Sequence, residues 1–169
     1  MTVALTGFMA CGKSTFGRAA AELLGWDFID LDREIEKAQG TVADIFSKGG
    51  ELLFRELESR TLESVLAGYS GTDRIIALGG GTVLSDANMT ILRSNGVFII
   101  WLDTSFEIIL SELSNAERPL VKEKSTEEIR ALYDLRRGRY ESCADATVRI
   151  DSTDYESAIK RIAELAANR

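Results

Sequence analysis

Residues 7–14 read Gly-Phe-Met-Ala-Cys-Gly-Lys-Ser and match G-x-x-x-x-G-K-[ST] at every fixed position. The chemistry this spacing serves is the binding of a nucleoside triphosphate. Gly7 and Gly12 let the backbone bend so that successive N–H groups converge on a phosphate. A helix starting at the loop adds its positive N-terminal dipole. Lys13 can reach the β- and γ-phosphates, and Ser14 can offer its hydroxyl to Mg²⁺. The flanks supply the context the motif needs: strand-like Thr2-Val3-Ala4-Leu5 before it and helix-like 15–24 after it.

Phosphoryl transfer also needs metal ligands, cations and a place for the acceptor. Asp30-Leu31-Asp32 ends a second apolar run, and alternation puts both carboxylates on one side of an extended segment. One can serve Mg²⁺ through water while the other accepts a hydrogen bond from a substrate hydroxyl. The alternative is a helix cap at Asp32 with a solvated Asp30. Gly79-Gly80-Gly81 directly follows the buried run 74–78, which points to backbone N–H groups presented to a ligand. Arg55 has Glu58 three residues on, hence on the same helix face. Arg136, Arg137 and Arg139 crowd the end of a later helix, and Arg118 lies in a polar stretch beside Pro119, the only proline.

Composition removes other chemistries. Histidine is absent, so an imidazole base or a histidine triad is excluded. The two cysteines, Cys11 and Cys143, are widely separated, which argues against zinc and against a disulfide framework and for a reducing, cytoplasmic setting. A net charge of −7 with no basic tract argues against nucleic acid. The longest apolar run, 97–102, is far too short for a membrane span, and the N-terminus enters a strand without a leader-like segment. A chain of 169 residues suits one domain, and a monomer is the simplest expectation.

Strand-like runs at 3–5, 28–30, 74–78, 97–102 and 146–150 alternate with helical patterns at 32–39, 51–66, 86–93, 106–113, 126–140 and 155–167. Thr41 with Asp44 three positions on reads as the cap of a further helix through Ile45, Phe46 and Ser47. Five short strands separated by helices predict an α/β domain with a parallel sheet. The polar stretch 114–124 reads as a lid.

The loop, Asp30-x-Asp32, Gly50-Glu51-x-x-Phe54-Arg55-x-x-Glu58, the triple glycine, Arg118-Pro119-Leu120 and Leu132-Tyr133-x-x-Arg136-x-x-x-Tyr140-x-x-x-Ala144-Asp145 together closely resemble the shikimate kinases. The resemblance covers nearly the whole chain. It implies a single phosphate-loop kinase domain over 1–169, nucleoside-monophosphate-kinase-like, with strand order 2-3-1-4-5. A shikimate-binding region falls at about 32–60 and a lid at about 112–125. It implies transfer of the ATP γ-phosphoryl group to the 3-hydroxyl of shikimate, with ATP and Mg²⁺ bound. Lys13, Asp32 and Arg118 take catalytic roles. Gly7, Ala10, Cys11, Gly12, Lys13, Ser14, Thr15 and Arg118 fall to the nucleotide. Asp32, Arg55, Glu58, Gly79, Gly80, Gly81 and Arg136 fall to shikimate, whose ring can pack on Phe46 and Phe54. Ser14 and Asp30 fall to the metal. A related metabolite kinase, such as a gluconate or nucleotide kinase, and a non-catalytic nucleotide-binding regulator are the rival readings. Four positions depart from the pattern. Ser111 stands where many members place an adenine-contacting arginine, implying a different grip on the base. Gly138 and Arg139 replace a proline and an apolar residue, implying a looser helix end. Cys11 occupies a loop position where a small residue is usual, and alkylating it is expected to block ATP binding.

Overall fold

The computed structural model describes residues 1–68, 71–115, 125–151 and 154–169. Five strands, β1 (Thr2–Thr6), β2 (Asp27–Asp30), β3 (Arg74–Ala77), β4 (Phe98–Thr104) and β5 (Ala146–Ile150), form one sheet of order β2-β3-β1-β4-β5. Every pairing is parallel. The helices are α1 (Lys13–Leu24), α2 (Leu31–Gln39), α3 (Val42–Ala67), α4 (Asp86–Ser94), α5 (Phe106–Asn115), α6 (Thr126–Cys143) and α7 (Tyr155–Ala167). A single 3₁₀ turn spans Thr82–Leu84. The predicted α/β class and strand order are the observed ones.

The central strands are runs of buried aliphatic residues, among them Val3, Leu5, Ile75, Ile76, Ile99, Ile100 and Leu102. Each such burial contributes about 1.5–3 kcal/mol, and a sheet covered on both faces has no reason to alternate polar with apolar. α1 packs along α7 and against β2 and β3, while α6 packs on β4 and on the 3₁₀ turn. Register then does the positioning. Leu5 of β1 and Asp30 of β2 both lie opposite Ala77 of β3. The phosphate loop, the Asp30–Asp32 segment and the triple glycine therefore leave the sheet at the same end.

Local signals read from the sequence set several boundaries. Thr41 and Asp44 form a reciprocal capping box at the start of α3. The two helical patterns at 41–47 and 51–66 join into α3, with a break at Gly50, whose φ of 64° and ψ of −157° only glycine adopts cheaply. The alternative of a helix cap at Asp32 is not what forms: the cap is Asp30, whose carboxylate accepts from the Arg33 N–H at 3.3 Å, while Asp32 sits in the first turn of α2. The predicted lid overlaps the end of α5, and its core, 116–124, including Arg118, lies outside the described residues. No helix among the described residues is long and apolar enough to cross a membrane.

Candidate active site

The phosphate loop is closed by its own side chains. Gly12 caps α1 in the left-handed region (φ 92°), and Ala10 is held there too (φ 58°). Lys13 folds back so that Nζ donates to the carbonyls of Gly7 (3.0 Å) and Phe8 (2.8 Å). Its ammonium thus sits over the loop, where anionic oxygens would be received. Nζ is also 3.7 Å from Cys11 Sγ. Cys11 is only 1% exposed, and its carbonyl accepts from the buried Thr104 hydroxyl at 3.0 Å, which ties the loop to the end of β4. The Cys11 thiol therefore points into the fold, and a reagent reaches it only if the loop opens.

Ser14 Oγ donates to Asp30 Oδ2 at 2.5 Å. Two hard oxygen donors side by side at the start of α1 suit Mg²⁺, which takes one or two protein oxygens and completes its shell with water and phosphate. Among the described residues no group of three or more Asp, Glu, His or Cys side chains is placed to hold a metal ion together.

The acceptor side is built around the triple glycine. A Cβ placed on Gly79 would lie 2.5 Å from Glu58 Oε1, 2.9 Å from Asp32 Oδ1 and 3.0 Å from Thr82 Oγ1. Those three groups converge where a side chain would otherwise stand. Glu58 is fully buried; its Oε2 accepts from Arg55 Nη1 at 2.9 Å and its Oε1 from the Thr82 hydroxyl at 2.6 Å. Glu51 adds a second carboxylate 3.2 Å from Arg55 Nη2. Burial works against the Arg55 charge, but Glu58 and then Glu51 outweigh it and hold the guanidinium above its ordinary pKa. A Cβ on Gly81 would sit 2.5 Å from both terminal nitrogens of Arg55, so the guanidinium lies directly on that glycine. A Cβ on Gly80 would meet Met9 N at 3.4 Å and Gly7 O at 3.6 Å, so the turn abuts the phosphate loop. Phe46 and Phe54 lie in a tilted contact nearby, with centroids 5.6 Å apart.

The arginines of α6 separate into different roles. Arg137 is structural: it pairs with Asp103 at 2.7 Å and lies over the Trp101 ring. Arg136 pairs with no carboxylate of the described residues and stands one helical turn before Tyr140 on α6, whose hydroxyl donates to the Gly80 carbonyl at 2.6 Å. Arg139 corrects the expectation of a loose helix end. Its Nε donates to the Val83 carbonyl at 2.8 Å and its Nη2 to Asp86 at 2.5 Å, and α6 continues to Cys143. Gly138 faces open space and does not interrupt the helix.

A small cleft of about 90 Å³ opens beside the loop, lined by Ala10, Gly12, Thr15, Phe16, Ile108 and Glu112 among others. Ser111 is exposed and not part of that lining. A larger hollow of about 330 Å³ between β5 and α7 contains none of the predicted site residues. The structure thus brings together Asp30, Asp32, Arg55, Glu58, the triple glycine and the loop. Thr82 and Thr104 were not singled out by sequence reasoning, and Arg139 was read only as part of a helix-end cluster and a departure from the family pattern. Tyr140 entered only as part of a motif, although its spacing of four from Arg136 on one helix face was the available signal.

A phosphate loop after β1, beside a polar pocket of Asp32, Arg55, Glu58 and the triple glycine at the carboxyl ends of β2 and β3, is the architecture of a phosphate-loop kinase of small molecules. The shikimate kinase family model matches residues 9–167. A shikimate kinase of Geobacter sulfurreducens is 45% identical over 152 residues, covering 89% of this chain and 81% of that one. One of Streptococcus thermophilus is 37% identical over 166 residues, covering 96% and 98%. Among solved structures, a shikimate kinase from Acinetobacter baumannii in complex with shikimate superposes with a TM-score of 0.87 at 30% identity, covering 99% of this chain and 93% of that one. The chain belongs to the shikimate kinase family. It is an ATP-dependent kinase.

Proposed function

We propose that this chain transfers the γ-phosphoryl group of ATP to the 3-hydroxyl of shikimate, giving shikimate 3-phosphate and ADP in aromatic amino-acid biosynthesis. The observation that carries the reading is the placement of Arg55 directly on a glycine turn that itself abuts the phosphate loop, with α6, the helix of Arg136, docked on the same turn through the Tyr140 hydroxyl. Two guanidiniums suit a carboxylate through charge-assisted hydrogen bonds, and the structural relative described as a complex with shikimate agrees with that choice.

In this reading Arg55 and Arg136 hold the shikimate carboxylate, while Gly80, flanked by Gly79 and Gly81, brings its backbone N–H to the ring hydroxyls. Asp32 accepts the hydrogen bond of the reacting hydroxyl. As the bond from the γ-phosphorus to the β–γ bridging oxygen breaks and a new phosphorus–oxygen bond forms, the hydroxyl proton passes to Asp32 and on to water. The bridging oxygen leaves with ADP. Lys13 swings from the Gly7 and Phe8 carbonyls to phosphate oxygens, and Arg118 in the lid at about 112–125 adds a second cation. Gly7, Ala10, Gly12 and Thr15 form the rest of the nucleotide surface. The Ile108–Phe16 cleft takes the base in place of an arginine at position 111. Ser14 and Asp30 would hold Mg²⁺, which when bound supplies charge neutralisation on the phosphates. Cys11 shapes the loop from beneath. The enzyme acts as a cytoplasmic monomer, a reading supported by two unpaired buried thiols and an acceptor set contained in one chain.

The test is product identity with a variant as control. Phosphorus and proton NMR of the reaction should place phosphate on the 3-hydroxyl, and Arg136→Ala should raise the shikimate KM far more than the ATP KM. Phosphate on another hydroxyl would overturn the acceptor geometry, and equal changes in both constants would return Arg136 to a structural role.

A further inference from the structure

The turn 79–82 is bonded to both helices that carry the acceptor arginines. On one side Thr82 Oγ1 donates to Glu58 Oε1 at 2.6 Å, and Glu58 Oε2 receives Arg55 at 2.9 Å. On the other side the Tyr140 hydroxyl donates to the Gly80 carbonyl at 2.6 Å, and Arg136 stands one turn earlier on the same face of α6. We propose that Thr82 and Tyr140 are positioning residues that register Arg55 and Arg136 to one turn, fixing the spacing of the two guanidiniums before the acceptor arrives.

The burial pattern favours this over general packing. Glu58 and Thr82 are both fully buried, so the carboxylate is cut off from water and each of its oxygens needs a protein donor. Without the Thr82 hydroxyl, Glu58 Oε1 loses that donor, and the carboxylate gains by turning away from Arg55. The turn itself is anchored independently of the arginines. Asn88, 1% exposed, donates through Nδ2 to the Thr82 carbonyl at 3.1 Å and accepts from Ser59 Oγ at 2.7 Å. Arg139 holds the next residue through the Val83 carbonyl. A turn gripped from α3, α4 and α6 is a fixed reference, and a rigid clamp loses less freedom on binding a small planar anion.

Neither Thr82 nor Tyr140 bonds to Lys13 or to the carbonyls that hold it, so the main effect falls on the acceptor. The inference rests on the acceptor reading above. Thr82→Val keeps the shape and removes the hydroxyl, Thr82→Ser restores it, and Tyr140→Phe removes only the phenol oxygen. Steady-state constants for shikimate and for ATP are measured on the purified full chain and these three variants. Thr82→Val and Tyr140→Phe should each raise the shikimate KM about ten-fold, with the ATP KM within two-fold, and Thr82→Ser should return to within about three-fold of the starting value.

Shikimate constants within two-fold of the unaltered enzyme in both Thr82→Val and Tyr140→Phe would overturn the proposal. So would Thr82→Ser matching an impaired Thr82→Val, because a purely steric role makes no use of a hydroxyl. If Thr82→Val fails to fold, Tyr140→Phe at the other end of the turn gives the same decision. Absence of shikimate turnover in the unaltered enzyme would instead overturn the acceptor reading itself.

Discussion

Replacing Gly81 by alanine is a one-carbon perturbation aimed at Arg55. Gly81 has φ −109° and ψ −6°, a conformation alanine adopts freely, so the backbone has no reason to object. The added Cβ would stand 2.5 Å from Nη1 and Nη2 of Arg55 and 2.6 Å from its Cζ. Ordinary contact needs about 3.5 Å, so the guanidinium must withdraw by roughly 1 Å. That withdrawal breaks the 2.9 Å bond to Glu58 and moves the charge away from the acceptor carboxylate. Hydrogen bonds to charged groups contribute about 1.5–3 kcal/mol, and about 1.4 kcal/mol is a factor of ten. Gly81→Ala should therefore raise the shikimate KM between about ten-fold and a hundred-fold at saturating ATP. The control is Gly138→Ala on the exposed face of α6, whose Cβ would meet nothing within 4 Å. A coupled ADP-release assay with shikimate varied reads both. A Gly81→Ala enzyme within two-fold of the original, or a Gly138→Ala enzyme equally impaired, would refute the reasoning from space at this turn.

Lys13→Ala should lower kcat roughly a thousand-fold or more with the circular dichroism spectrum unchanged, since the side chain bonds only to its own loop; a ten-fold loss would demote it. Cys11 and Cys143 are 1% and 5% exposed, so a thiol reagent should titrate neither in the native protein and both in denaturant; rapid native labelling at Cys11 would contradict the loop geometry. Burial, above all, pushes the Tyr140 phenol up from 10.0 to about 12. The folded state then keeps a proton that the unfolded chain releases, so this stability is complete below about pH 10 and lost as pH rises to about 12, roughly 2–3 kcal/mol in all. Tyr140→Phe should lose less stability than the original protein between pH 9 and 11 in denaturant titrations. The loss should not vanish, because burial also raises Tyr133; identical losses would contradict the buried phenol.

The parts legible in the sequence were those written in short spans. Val3 to Leu5 followed by the glycine loop announced a strand, an anion site and a helix, and Thr41 with Asp44 announced a cap. The strand order came through resemblance, since nothing in five apolar runs says which neighbours which. The unread parts are contacts between distant residues. Thr82 meets Glu58 24 positions away, Arg139 meets Val83 56 away, and Tyr140 meets Gly80 60 away. Arg139 shows why such contacts were misread. Beside Gly138 it suggested a weak helix end, and only the folded turn supplies the carbonyl and carboxylate that make it an anchor. Asp30 and Asp32 were ambiguous too, because the alternative to metal and substrate roles was a cap at Asp32 with Asp30 in solvent; geometry gave the cap to Asp30 and turned Asp32 toward Gly79.

ADP release from Mg·ATP, followed with and without shikimate, tests the account most directly. ADP production that depends on shikimate and saturates with it is the predicted result. Bound ATP with no shikimate-dependent ADP would contradict it, leaving the phosphate loop in place and removing the acceptor role from Arg55 and Arg136.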